Sequence, residues 1–599
     1  MNLKKYPPHK WINLVRNRIF VQKVPKRILN KKNSFDAAIL VYCSKMNLPH
    51  SNVVVKGVTP SDVKNKDICK GAQYILDNKL PLLSDNIINL GEKIAWNKDY
   101  ITNIECSSIE QAKSEGADIK RVWELSRMHQ ISPLMNGFFL TGNAKYLEKI
   151  KDIINSWIKD NPYEEGPNWI NSMEIAIRSA NIIRTIVWCP ELSEDKEFLQ
   201  NVNQLLFWSG VHIQYHLENT TLVNNNHYLS NLMGLVFIGA YFQDCDDKKI
   251  QKLVKKWIGI SYKELNKEIR EQVLDDGTSF EKSTSYHAYV LEILLWSYKV
   301  FELNTDFDII YLKSIIHKMY IFLNQIEYKE GIPFIGDNDN SRLFRDDKDY
   351  PFEDQHKYEM LLENCRKWLD IKDNQYKTCY INSGYYFLNS DSLMVLVCCG
   401  ALSKNGGHCH NDQLSFILWY KGIRITDDPG TYCYTSDLKS RNIFRGTKMH
   451  STVQICDAEQ NEFAKCFEVK ERSNAECIFF NQESFEGVHY GYKNQFNSVV
   501  KRRIKISGNR VNIYDSLQTG NNIEAISRII FSPDVVLNNQ NLYEKDGINF
   551  YIEVPENNFN VTTVLFSPSY GIQKQTLAIE IPFMRQIEYS IIFMEGETK

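Results

Sequence analysis

The run Gly407-His408-Cys409-His410-Asn411-Asp412-Gln413 sets two imidazoles two residues apart; Asp427-Asp428-Pro429-Gly430-Thr431-Tyr432-Cys433-Tyr434 and Lys448-Met449-His450 follow it. In a strand, positions i and i+2 face one way, so His408 and His410 are expected to point into a single site. Two imidazoles and a carboxylate are metal-ligand chemistry. Zinc accepts imidazole nitrogen and aspartate oxygen in a tetrahedral site that water or substrate completes. A histidine pair packed on a sheet is the plainer reading of the same spacing, and what favours a metal is that Asp428 and His450 fall in the same region.

Two earlier polar runs carry groups that hold charge or move protons. Asn224-Asn225-Asn226-His227-Tyr228 stands at the entry to an apolar segment, where asparagines also serve simply as helix caps. Asp275 to His287 reads DDGTSFEKSTSYH and leads into a segment with Tyr289, Leu291 and Leu294. A long turn with a Ser or Thr cap explains it. The Tyr286-His287 pair at its end also offers a proton donor or acceptor, because a phenol with a pKa near 10 works once neighbouring donors or cations lower it.

The elements that must position these groups change character along the chain. From about residue 71 to 375, apolar residues recur at three- and four-residue spacing, as in Tyr146, Ile150, Ile153, Ile154 and Trp157, which predicts helix after helix. About ten helices suit an α/α array. Near residue 376 the period becomes two, in runs rich in β-branched and aromatic residues such as Leu393–Val397, Leu414–Trp419, Val499–Ile506 and Ile587–Phe593. A large antiparallel sandwich is expected there. The expected organisation is an N-terminal extension over 1–70, a helical domain over 71–375 and a β-sandwich domain over 376–599.

Composition narrows the class. At about 150 residues per domain, 599 residues imply roughly four units or fewer large ones. With 43 % apolar residues, 30 Phe, 32 Tyr and 11 Trp, there is mass for substantial cores, which excludes general disorder. Lys and Arg (71) nearly balance Asp and Glu (73), so no global field draws nucleic acid or an anionic membrane. The most apolar stretches, such as the 11 residues Ser392–Leu402, fall short of the roughly 20 that a membrane helix needs. The opening MNLKKYPPHKWINLVRNRIF is basic but interrupts its apolar residues, so the signal-peptide core of about 7 to 15 apolar residues does not form. The 14 cysteines include no CxxC pair and read as reduced thiols. A cytoplasmic location is expected, with export by another route left open.

The ordered set NNH, DGxxxExSxxYH, GHxHxDQLSF, DPGTYxY and RGTKMH resembles the heparinase II/III-like polysaccharide lyases, which include heparin-sulfate and alginate lyases. The resemblance extends from Trp123-Glu124-Leu125-Ser126-Arg127 and Gly166-Pro167-Asn168-Trp169, with Met173-Glu174 and Arg178, through the β region. It implies an α+β multidomain chain: an incomplete (α/α) toroid followed by an antiparallel β-sandwich, with a cleft between them. It also implies cleavage of a uronic-acid-containing polymer by β-elimination, with an acidic polysaccharide or oligosaccharide as partner and neither nucleic acid nor membrane insertion.

In that chemistry the sugar carboxylate must be neutralised so that an enolate-like charge is tolerated, which suits Asn226 and His227. Tyr286 is expected as the acid and as a candidate base, His408 as the other base, and Tyr434 as a reserve acid. The resemblance assigns His410, Asp428 and His450 to one divalent metal, commonly zinc and mainly structural, with Asp412 or Asp427 orienting the histidines. Arg127, His129, Glu174 and Arg178 are expected to line the cleft and hold acidic sugar groups, unless Arg178 simply pairs with Glu174 at i,i+4. Two alternatives stand beside this reading. One is a glycoside hydrolase using two carboxylates such as Asp276 and Glu281. The other is a non-catalytic glycan-binding or assembly factor in exopolysaccharide production.

Overall fold

A computed structural model describes residues 42–48, 63–83, 87–219, 223–345, 357–372, 375–520, 522–539 and 541–594. Most of the N-terminal extension expected over 1–70 therefore lies outside the described residues. Among those described, twelve α-helices run from Val63 to Leu369 and antiparallel strands from Cys379 to Phe593. The helices form an incomplete α/α toroid and the strands a β-sandwich, in the order the change of period predicts. No helix among the described residues is long and apolar enough to cross a membrane.

The Asn226–Phe242 helix is the centre of the toroid. Its sequence, NHYLSNLMGLVFIGAYF, is apolar on every side, and every residue but His227 is buried. It packs against Ser172–Trp188, Lys196–Tyr215, Lys248–Gln272 and Thr284–Asn304. Asn225 caps it, its side chain accepting from the His227 N–H, so Asn226 and His227 sit in the first turn. Ser283 caps Thr284–Asn304 in the same way, accepting from the Tyr286 N–H at 3.1 Å. Both polar runs thus cap helices, and in doing so bring their functional groups to helix N-termini.

The strands form three main sheets. Cys379–Tyr380, Tyr385–Asn389, Leu393–Cys398, Phe416–Tyr420 and Ile423–Thr426 pair in sequence order. An eight-stranded sheet runs from Glu476–Phe480 to Val536–Asn539, and a four-stranded one joins Val453–Ile455, Ala525–Ile530, Lys574–Phe583 and Asn560–Phe566. The five-stranded sheet is buried on both faces. Tyr385, Phe387, Leu396 and Trp419 enter the helical core, while the alternate residues Tyr386, Leu388, Val395 and Leu418 enter the sandwich core. The period of two expected after residue 376 therefore does not hold in the central strands of this sheet: Leu393–Cys398 and Phe416–Tyr420 are buried on both faces and read as unbroken apolar runs. Residues 408–410 are not strand: they lie in the loop before Phe416–Tyr420.

The helices that carry Glu174 and Asn226 approach each other closely at Ala176 and Gly234. A methyl group at Gly234 would lie 2.5 Å from Ala176 Cβ and 2.9 Å from its Cα. Helix propensity favours alanine over glycine by about 1 kcal/mol, but overpacking at a backbone contact costs about 1–3 kcal/mol. Gly234→Ala is therefore expected to lower stability by about 1–2 kcal/mol, read as a reduced urea midpoint; an unchanged or higher midpoint would refute this packing.

Candidate active site

A cleft open to solvent, with about 1250 Å³ of space reaching out through its mouth, lies between the toroid and the sandwich. Asn226, His227, Tyr286, His408, Tyr434 and Glu174 all line it, although they come from residues 174 to 434 of the chain. Lys120, Glu281 and Asp339 line it as well.

The Tyr286 ring stacks on His408, with centroids 3.9 Å apart and planes at 20°. Its hydroxyl donates to Asp339 Oδ2 at 3.0 Å and lies 3.2 Å from the Tyr434 hydroxyl. Asp339 also pairs with Lys120, whose ammonium sits 4.6 Å over the Tyr434 ring. Burial, reinforced by the Asp339 charge, pushes the Tyr286 phenol well above its usual range. Tyr286 thus rests as a neutral proton donor.

His408 gains its orientation from Asp337, which is fully buried and absent from the sequence-based expectation. His408 Nδ1 is 2.9 Å from Asp337 Oδ2, His410 Nε2 is 3.1 Å from Oδ1, and Arg441 donates to both oxygens at 2.9 and 2.8 Å. Burial would raise the Asp337 pKa, but Arg441 and the two imidazoles hold it well below the ordinary carboxylate range. An ionised carboxylate only accepts, so each histidine must carry its proton on the nitrogen facing Asp337. His408 Nε2 is left as the nitrogen free to take a proton.

Asp337 lies in the run Gly336-Asp337-Asn338-Asp339-Asn340, which joins the two halves of the site. Ser283 Oγ donates to the Asp337 carbonyl at 2.6 Å, and the Asp337 N–H donates to the His408 carbonyl at 3.0 Å. Gly336 permits this approach. Its φ is +71°, and a Cβ there would lie 2.7 Å from the carbonyl oxygens of both His408 and Lys282.

Asn226 Nδ2 donates to both Glu281 oxygens at 3.1 Å, a bifurcated contact that uses one of its two hydrogens. His227 Nδ1 is 2.8 Å from Glu218 Oε1. Burial opposes charge on either partner, but their mutual attraction wins: His227 is raised above its ordinary value and Glu218 lowered. Amide and imidazolium together suit an anionic group in the cavity.

The expected cleft residues divide. Glu174 reaches the cavity wall, but Arg127 takes its carboxylate in a bidentate pair at 2.6 and 2.8 Å. Arg127, His129 and Arg178 do not line the cavity and must be moved from the substrate to the scaffold. Arg127 also binds Glu124, and both His129 nitrogens are engaged, by Glu124 and the Leu343 carbonyl. Arg178 lies 4.0 Å over Trp157 and donates to the Asn168 carbonyl; burial pushes it down to about 9. It is therefore not Arg178 but Arg127 that pairs with Glu174.

His410, Asp428 and His450 are buried, with one ligand atom of each within 4.8 Å of the others. His410 Nδ1 and His450 Nε2 have no hydrogen-bond partner, while the opposite nitrogens bond Asp337 and Asp428. Two orphaned imidazole nitrogens beside a carboxylate fit a divalent metal. The sequence singled out these three candidate ligands, but the missing partners Asp337, Asp339, Lys120 and Glu218 had only an acidic, amide-rich run or an isolated charge to mark them.

The Heparinase II/III N-terminus family matches residues 18–370 and the Heparinase II/III-like, C-terminal family residues 380–595. The heparin-sulfate lyase of Bacteroides stercoris is 25 % identical over 383 residues, covering 56 % of this chain and 53 % of that protein. The heparin-sulfate lyase of Pedobacter heparinus is 23 % identical over 359 residues, 56 % of this chain and 51 % of its own. The chain thus aligns with about half the length of these curated relatives. A crystal structure of heparinase III superposes with a TM-score of 0.67 at 13 % identity, covering 99 % of this chain and 94 % of that one, which shows a shared fold.

The His227–Glu218 pair carries a pH signature. A raised histidine pKa contributes stability that is complete below its unfolded value of about 6.5 and fades as pH rises through the folded value. The lowered Glu218 contribution is present above its unfolded value of about 4.3 and fades as pH falls through the folded one. His227→Gln should thus lower the Tm most near pH 5.5 and progressively less toward pH 8.5; a gap that grows toward alkaline pH would contradict the pairing.

Proposed function

Because the chain belongs to the heparinase II/III-like family, we propose that it is a polysaccharide lyase that cleaves a uronic-acid-containing polysaccharide by β-elimination. The observation that carries this reading is the meeting of Asn226, Tyr286 and His408 on one cavity. His408 Nε2 takes the proton at C5 of the uronate. The charge that develops spreads onto the sugar carboxylate, opposite the Asn226 amide and the His227 imidazolium. As the C4–O bond breaks and a C4=C5 double bond forms, the Tyr286 hydroxyl passes its proton to the leaving oxygen. Lys120 and Asp339 keep that hydroxyl aimed, and Tyr434 backs it.

The carboxylates of the cavity do not suit hydrolysis. Glu281 is held by Asn226, Glu174 by Arg127 and Asp339 by Lys120, and Asp276, whose oxygens accept from Thr278 and Ser383, is not on the wall. A hydrolase requires a pair poised as acid and as base or nucleophile. His410, Asp428 and His450 would hold a zinc ion, whose charge would tie the loops of Asp428 and His450 to the loop that carries His408, with no proton passing through it.

The test is incubation of the purified chain with heparan sulfate, alginate, hyaluronan and the host's own extracellular polysaccharide, followed by ultraviolet absorbance of the unsaturated product end. At least one acidic polymer should yield it. Tyr286→Phe and His408→Ala should each lower the rate by about 100- to 10,000-fold with unchanged circular dichroism; full activity in Tyr286→Phe would remove the phenol from the mechanism. His450→Ala should lower bound zinc and Tm together, and unchanged zinc content would refute the ligand set.

A further inference from the structure

A second group of metal-ligand side chains lies in the toroid, apart from the cavity and from the His410 centre. His212 and His216 are four residues apart at the C-terminal end of the Lys196–Tyr215 helix, so their rings share one face and stack at 4.2 Å. Glu164, from the turn after the Lys145–Asp160 helix, faces both: its Oε1 is 3.7 Å from His212 Nδ1 and 3.9 Å from His216 Nε2. One ligand atom of each residue lies within 4.8 Å of the others.

His212 points to a ligand independently of this spacing. It is 4 % exposed, packed against Tyr163 and Trp169, and neither of its ring nitrogens has a hydrogen-bond partner. A buried imidazole with both nitrogens unpartnered is unusual and calls for an occupant. The end of a helix, with its exposed carbonyls, favours positive charge there.

We propose that Glu164, His212 and His216 form a second metal site, taking a divalent transition ion of the zinc class. Tetrahedral bonds of about 2.0–2.1 Å put ligand atoms roughly 3.3–3.4 Å apart, so the Glu164 spacings of 3.7 and 3.9 Å close with small side-chain shifts, and the two imidazole nitrogens, within 4.8 Å of each other, close by rotation of the exposed His216 ring. Imidazole with carboxylate suits zinc and its neighbours rather than calcium or magnesium, which prefer all-oxygen sites. Glu164 and the helix end leave the fourth position to water.

The ion would brace the cavity rim. The His216 carbonyl accepts from Ser172 Oγ at 2.7 Å, at the start of the helix that carries Glu174. Two residues further on, Glu218 accepts from the Met173 N–H and holds His227. Bound metal therefore clamps the 161–166 turn to the segment that places Glu218.

The test is a zinc count. The full chain is stripped with chelator, reloaded with zinc, desalted and measured by elemental analysis. Wild type should retain one zinc per chain more than either Glu164→Gln or His216→Ala, substitutions at exposed positions that leave the apo Tm unchanged. His450→Ala should keep this ion, so failure here is separable from failure at the His410 centre. Zinc should also raise the Tm of wild type more than that of Glu164→Gln. Equal zinc content in wild type and both variants would overturn the proposal.

Discussion

The Asp337 carboxylate is the constraint on which the site's chemistry depends. It is fully buried, and its two oxygens face four nitrogen donors, two from Arg441 and one each from His408 and His410. Removing such a charge from water costs several kcal/mol, which only a dense set of charged and hydrogen-bonded partners offsets. The reward is tautomer control. Because the carboxylate accepts and never donates, His408 keeps its Nε2 lone pair for the cavity and His410 keeps its Nδ1 lone pair toward Asp428 and His450. One residue of the toroid thereby fixes two residues of the β half, so His408 on the cavity and the His410, Asp428 and His450 cluster share a single anchor.

The scaffold serves that anchor. The five-stranded sheet has an apolar face in each core, so the toroid and the sandwich cannot slide past each other without exposing one of its two faces. Against this rigid join, the 336–340 run crosses from the Ser283 cap to the His408 carbonyl. Behind the cavity, Arg127 binds Glu124 and Glu174 in a buried network. Arg345, 3.8 Å from Glu124, supplies the second positive charge of this network, and Lys120 pairs with Asp339, so two of the three carboxylates on the cavity wall have cationic partners.

Much of the fold was legible because burial imposes periodicity. The 3.6-residue stripe of Tyr146 to Trp157 and the strand runs after residue 376 appear as helix and sheet in the expected order. Polar runs at the helix entries were legible too, because Asn225 and Ser283 cap the helices that carry Asn226, His227 and Tyr286 in their first turns. What could not be read was partnership across distance. Nothing local distinguishes Asp337 from a turn residue, and nothing marks Arg127 as Glu174's partner 47 positions away rather than a cleft residue. The HxH spacing suggested a strand face, yet the two histidines converge through a shared carboxylate in a loop, a contact set by tertiary structure alone.

Elimination in this cavity would break a C–O bond by removing a proton, with no water added across it. Turnover of an acidic polysaccharide in oxygen-18 water, followed by mass spectrometry of the fragments, tests this most directly. Elimination predicts a new non-reducing end that is one water lighter, carries a double bond and holds no label, with the reducing ends trapped by reduction before their anomeric oxygen exchanges with solvent. One labelled oxygen incorporated per cleavage would mean hydrolysis and would contradict the account.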